Sequence, residues 1–130
     1  MAFFLRGIFD LRLVPLYWLA QFSGAIAASA ILLGVFGNIG NLATTIPSDD
    51  TGIALSIEII ITFILLTAIL LTSERAEILG PQSALAVASV FTALLLFAWN
   101  ISGASANPFR SLAPTIIGGA GWSTIWVYIG

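Results

Sequence analysis

Three long hydrophobic runs follow one another along the chain, each set off by a short polar or glycine-bearing break: Pro15 to Phe36 (PLYWLAQFSGAIAASAILLGVF), Gly52 to Thr72 (GIALSIEIIITFILLTAILLT) and Ser83 to Asn100 (SALAVASVFTALLLFAWN). Crossing ~30 Å of hydrocarbon takes ~20 apolar residues of helix. The first two runs meet that length, and the third is slightly short but sufficient. Pro15 stands at a helix start, where its missing N–H costs nothing. A further apolar segment opens near Trp122 and runs to Gly130, and its aromatics Trp122, Trp126 and Tyr128 suit a membrane interface.

Composition turns these runs into spans. The chain has 130 residues, 59% of them hydrophobic and 8% charged, with mean hydropathy +1.09. A soluble domain carries roughly 25% charged residues, so the pattern predicts an all-α membrane protein. Cysteine and histidine are absent, which leaves disulfides, thiol chemistry and the usual transition-metal sites without ligands. No nucleophile–base pair or metal cluster points to an enzyme, and no cofactor is expected. Six acids against four basic residues is too little positive charge for nucleic acid. The opening MAFFLRGIFDLR does not read as a secretory signal, because its apolar patch precedes its charges and no small-residue cleavage site follows.

Charge placement predicts orientation. Arg6 and Arg12 precede the first span and Arg75 lies between the second and third, whereas the loop carrying Asp49 and Asp50 has no basic residue. The positive-inside rule places the three arginines on the cytoplasmic side and the loop outside. The third span then runs outward to Asn100, and the last helix runs inward from Trp122. Residues 101–121 begin and end on the outer side, yet they are mostly small and apolar. A re-entrant segment fits that chemistry better than a surface loop.

Irregular backbone at membrane depth is tolerated where protein buries it or it borders a water-filled cavity. Ser102 to Ala106 are small enough for a tightly packed extended strand with carbonyls facing such a cavity. Asn107 then makes a good N-cap and Pro108 a good first helical residue, opening a half-helix over PFRSLAPTII that Pro114 is expected to bend or end. Its N-terminus would present roughly half a positive charge, as discontinuous helices do where transport proteins bind solutes. Arg110 follows Asn107 at i,i+3, on the same side. The residues alone leave two readings open: a solute pathway, or a plain helix cap with Arg110 reaching the outer headgroups.

The stretch ISGASANPFRSLAP, residues 101–114, resembles the second signature loop of the aquaporin (major intrinsic protein) family, with Phe109 departing from the usual Ala. LYWLAQFSGAIAASAIL is similar to that family's third helix, including Gln21. IEIIITFILLTAILLTSE is similar to the fourth, including Glu58; LAVASVFTALLLFAWNISGAS reads as the fifth and WVYIG as part of the sixth. The resemblance covers the chain in order and implies an aquaporin-like helical bundle with a re-entrant half-helix. On this alignment residues 1–12 are the remnant of a first half-helix entered just past its own Asn-Pro-Ala. Met1 is then an internal methionine and Gly130 a cut within the sixth helix, so that the chain reads as a fragment or a mispredicted reading frame lacking the first two helices.

The resemblance further implies passive, single-file conduction of water and, in some relatives, glycerol or other small neutral solutes, with ions and protons excluded. Asn107 would donate its side-chain amide to the solute, sharing that task with an Asn of the first half. Arg110 would sit at the outer constriction with Leu95 and Ala104, where Leu95 replaces the His of water-selective relatives and Ala104 is small, both widening the filter. Ser111 stands where glycerol conductors usually carry Asp. Carbonyls of Gly103, Ala104, Ser105 and Ala106 would supply acceptors, while Glu58, Gln21 and Pro108 support the loop. Membrane lipid is the surrounding partner, the plasma membrane the expected location, and a homotetramer the assembly the resemblance implies at full length. The rivals are an ion- or proton-coupled transporter with Glu58 as coupling residue, and a small membrane protein with an assembly role.

Overall fold

The computed structural model describes residue 7 and residues 10–48, 50–73 and 80–129. The expectations for Arg6, Asp49, Arg75 and Gly130 lie outside the described residues. The described residues are helical, with no strand among them: α1 (Val14–Phe36), α2 (Thr51–Ser73), α3 (Gln82–Ser102), α4 (Pro108–Gly118) and the short α5 (Trp126–Ile129).

Three of these helices are long and apolar enough to cross a membrane, with mean hydropathies of 1.8 for Leu11–Phe36, 2.6 for Thr51–Ser73 and 2.0 for Gln82–Ser102. At ~1.5 Å per residue each reaches across ~30 Å of hydrocarbon. Their outward residues suit lipid, not water: Phe63 is 70% and Leu96 74% exposed. Hydroxyls along these helices are satisfied locally. Ser56, Thr67, Ser89 and Thr92 each donate to the carbonyl four residues back, which suits a solvent that offers no partners.

Short polar residues set the helix ends. The Asp50 carboxylate accepts from Gly52 N at 2.7 Å and Ile53 N at 3.0 Å, capping α2. Residues 11–13 form a tight turn capped by Asp10, whose side chain accepts from Arg12 N at 2.9 Å; most of the half-helix remnant expected over residues 1–12 lies outside the described residues. α3 continues two residues beyond Asn100 and stops at Gly103, whose φ of 85° is the left-handed conformation that glycine adopts freely.

α2 and α3 pack against each other as an antiparallel hairpin, while α1 packs mainly on α4. The Phe22 and Phe109 rings meet with centroids 5.9 Å apart. One apolar cluster joins Ile61, Ala98 and Ala104, with Leu95 at its edge. A second joins Ala54, Val127 and Tyr128, binding α5 to α2. α4, with 11 residues, is ~16 Å long, about half a bilayer.

Three details differ from expectation. Residues 103–106 are not an extended strand: Gly103, Ala104 and Ala106 have φ of 85°, 48° and 48°, because the chain twists to aim successive N–H groups at one carboxylate. Pro114 does not end α4, which runs through it to Gly118, and Ala113, Pro114 and Thr115 are all buried. Residues 122–125 form turns, so the last helix starts at Trp126, and Thr124 N bonds back to Gly121 O at 3.2 Å. A β-carbon at Gly121 would meet Thr44 Cγ2 at 2.8 Å, so the turn closes against the 44–46 segment only with glycine there.

The link between α1 and α2 is more structured than its sequence announces. Gly40, Asn41, Leu42 and Ala43 have φ of 57°, 50°, 55° and 55°, a left-handed turn costing roughly 1–2 kcal/mol for each non-glycine residue. Contacts from both sides hold it. Leu42 is 6% exposed, Asn38 Nδ2 donates to Gly118 O at 3.2 Å, and Ser48 is tied to the carbonyls of Asn100 and Ile101.

Candidate functional site: the Asn107–Arg110 half-helix and its carboxylate anchor

Glu58 is the sole acid within α2 and is 5% exposed. Its Oε1 accepts from Ser102 Oγ at 2.6 Å and Ser105 N at 2.9 Å, and its Oε2 accepts from Ala106 N at 2.8 Å. A buried carboxylate is costly unless donors surround it, and three donors converge on this one. Their convergence sets the conformation of residues 102–106. The N–H groups turn toward α2, and none of the hydrogen bonds among the described residues ends on the carbonyls of Gly103, Ala104, Ser105 or Ala106.

The loop then delivers Asn107 to the start of α4. Its backbone is extended (φ −158°, ψ 120°) and its Oδ1 accepts from Phe109 N at 3.0 Å. That cap fixes which way the amide faces. With the oxygen committed to the helix, the NH2 is the outward edge, and it has no hydrogen bond among the described residues. Asn107 and Pro108 are exposed. They border a cleft of about 400 Å³ between α2, the tip of α4 and α5, shared with Glu58, Thr62 and Tyr128.

Arg110 points elsewhere. Its Nη1 donates to Ala43 O at 2.8 Å, in the left-handed turn 67 residues away in sequence. Among the described residues its hydrogen-bond partner is thus a carbonyl and not a carboxylate, so the full positive charge remains. Neither Arg110 nor Leu95 borders the cleft.

The other named residues are placed as follows. Leu95 is half-buried beside Ile61, Ala98 and Ala104. Ala104 is 2% exposed, so its methyl belongs to the apolar core, and its carbonyl is what it has to offer a passage. Ser105 is buried, and its hydroxyl bonds inward to Asn107 O and Ser111 Oγ. Gln21 is exposed on α1 and makes no hydrogen bond to the described residues.

Sequence reasoning missed a line of buried hydroxyls behind the loop. Thr45 Oγ1 donates to Ser111 Oγ at 2.5 Å, and Ser111 Oγ lies 2.5 Å from Ser105 Oγ. Tyr128 OH donates to Ser102 O, tying α5 to the end of α3. Thr45, Ser102, Ser105 and Ser111 are each 3% exposed or less. The available signal was weak: small hydroxyl residues next to the Asn-Pro stretch, with partners far away in sequence.

A carboxylate-anchored loop opens a capped half-helix beside spans of membrane length, and the whole chain, residues 1–130, matches the family description Major intrinsic protein. The chain belongs to the major intrinsic protein family. It is an integral, multi-pass, aquaporin-like membrane protein. Among similar proteins are aquaporin NIP2-3 of Zea mays, 39% identical over 117 residues (88% of this chain, 38% of the relative), and aquaporin NIP1-3 of Oryza sativa subsp. japonica, 39% identical over 130 residues (99% of this chain, 45% of the relative). The probable aquaporin NIP-type of Nicotiana alata is 37% identical over 131 residues (98% and 47%). The chain spans less than half the length of these curated relatives.

Proposed function

We propose that this major intrinsic protein contributes one wall of a passive channel for water and small neutral solutes. The observation that carries the reading is the Asn107 amide, whose oxygen is consumed by the helix cap while its NH2 stays free. A neutral solute oxygen arriving there receives a fixed donor. It then meets acceptors in the uncommitted carbonyls of Gly103 to Ala106, without the site reorganising.

Exclusion of ions follows from the same parts. The α4 N-terminus carries a positive potential equivalent to roughly half a charge, and Arg110 adds a charge that does not titrate. Cations and protons are repelled, while water exchanges hydrogen bonds at little cost. Leu95, half-buried at the edge of the Ile61–Ala98–Ala104 cluster, offers an apolar side chain and no hydrogen-bonding group, which favours passage of neutral solutes somewhat larger than water. Arg12, with Arg6 and Arg75, marks the cytoplasmic side of the plasma membrane, and assembly as a tetramer accords with the family. A coupling role for Glu58 gains nothing from the geometry, because both of its oxygens are occupied by donors from the loop.

The test is stopped-flow shrinkage of vesicles carrying the product of this gene, read together with proton flux. Water and glycerol permeation above that of empty vesicles, with no proton leak and no dependence on a pH gradient, is the expected result. Uptake that requires the gradient and is lost in Glu58→Gln would replace the channel with the coupled transporter.

A further inference from the structure

Arg110 and Ser111 are neighbours on α4, and each is held by the same short segment. Arg110 Nη1 bonds Ala43 O at 2.8 Å and Ser111 Oγ bonds Thr45 Oγ1 at 2.5 Å. Residues 43 and 45 therefore clamp residues 110 and 111 at two points. The carbonyl that Arg110 uses belongs to the left-handed turn, at Ala43 with φ 55°. A left-handed turn built on Asn, Leu and Ala does not persist on its own, so its orientation depends on what pins it.

The pins are visible on both flanks. Upstream, Asn38 Nδ2 bonds Gly118 O at 3.2 Å, and Leu42 Cδ1 packs so close to Gly118 that a β-carbon there would lie 3.3 Å away. Downstream, Thr44 Oγ1 closes back on Asn41 O at 2.5 Å. Thr45 is 2% exposed and lies against Gly103, where an added β-carbon would stand 3.1 Å from Thr45 Cα. Its hydroxyl enters the Ser111–Ser105 line, and Ser105 Oγ donates to the carbonyl of Asn107 at 2.7 Å. One line of hydroxyls thus connects the turn that holds Arg110 to the residue that presents the free amide.

We propose that Thr45 is the positioning residue for Arg110: its hydrogen bond to Ser111 fixes the left-handed turn so that the Ala43 carbonyl holds the guanidinium in place, and so sets the width of the passage beside it. The inference rests on the reading of Arg110 as a constriction residue. It adds that the control lies in a loop outside the half-helix. Slackening the turn frees the guanidinium to swing and admits larger neutral solutes, while water passage changes little.

The experiment compares the unaltered protein with Thr45→Val and Thr45→Ser in lipid vesicles. One measurement is the magnetic dipolar coupling, by solid-state NMR, between isotope-labelled Arg110 guanidinium nitrogens and the Ala43 carbonyl carbon. The other is the ratio of glycerol to water permeability. Thr45→Val is expected to abolish the coupling and to raise the ratio roughly fivefold, the weight of one net hydrogen bond, with Thr45→Ser restoring both. Ser111→Ala removes the same hydrogen bond from the helix side and serves where the valine variant does not fold. A coupling that survives both Thr45→Val and Ser111→Ala overturns the proposal. Loss of the coupling with an unchanged permeability ratio supports the positioning role and overturns the constriction role of Arg110.

Discussion

Along α2 and α3, Ser56, Thr67, Ser89 and Thr92 spend their hydroxyls on carbonyls four residues back in their own helix. Around residues 102–111, by contrast, Ser102 bonds to Glu58 of α2, Ser105 to Ser111 of α4, and Ser111 to Thr45. Both regions are chemically similar, with small hydroxyl residues in apolar surroundings. The difference lies in who supplies the partner. A self-satisfied helix is stable in lipid whatever its neighbours do, so these hydroxyls carry no positional information. A hydroxyl that needs a partner 44 or 66 residues away fixes the relative placement of two elements. The membrane spans are generic, and the half-helix region is specific.

Removing the anchor tests that contrast most severely. Glu58→Ala leaves two backbone N–H groups and one hydroxyl without their acceptor in a buried site, a loss of roughly 3–9 kcal/mol at ~1–3 kcal/mol for each unsatisfied group. Unfolding in mixed detergent micelles should show it, together with loss of permeation. Glu58→Gln retains one acceptor oxygen and should fall between the two.

Gly103→Ala comes next. The φ of 85° and the 3.1 Å approach to Thr45 Cα act together, and the strain is expected to cost roughly 1–3 kcal/mol, read by the same titration. Asn107→Asp separates structure from conduction. The carboxylate still caps α4, so stability should hold to within roughly 0.5 kcal/mol; the free donor is gone, so water permeability should drop severalfold. Equal water permeability in this variant would remove Asn107 from the pathway.

Tyr128→Phe deletes one buried hydrogen bond to Ser102 O and should cost about 1 kcal/mol. The smallest effect is expected on the generic side: Thr67→Val or Thr92→Val should change stability by no more than about 0.5 kcal/mol. A loss there comparable to that of Tyr128→Phe would erase the distinction between the two regions.

The parts legible in the sequence were those that local chemistry determines. Length and hydropathy reveal the spans, because lipid leaves little choice of backbone. Asn107 followed by Pro108 signals a helix start, and a lone Glu58 in an apolar run signals a need for donors. The left-handed turn was hidden, since Gly40 and Asn41 tolerate it but Leu42 and Ala43 have no intrinsic preference for it, and contacts with Asn38, Gly118 and Arg110 hold it. The Thr45–Ser111 pair was hidden for the same reason. Pro114 does not end α4, because neighbouring elements re-satisfy the backbone groups a proline frees within a membrane helix. Gln21 is the reverse case: a polar residue in an apolar run signals a buried partner, and its face of α1 is uncovered among the described residues.

The account depends on a polar loop held at membrane depth with the Asn107 amide facing a water-filled passage. A spin label at Asn107→Cys in lipid vesicles, read by power-saturation electron paramagnetic resonance, measures depth and water access together. The expected result is a label near the bilayer centre that a water-soluble relaxing agent nonetheless reaches. A label at headgroup depth, or one at the centre reached by oxygen alone, would contradict it.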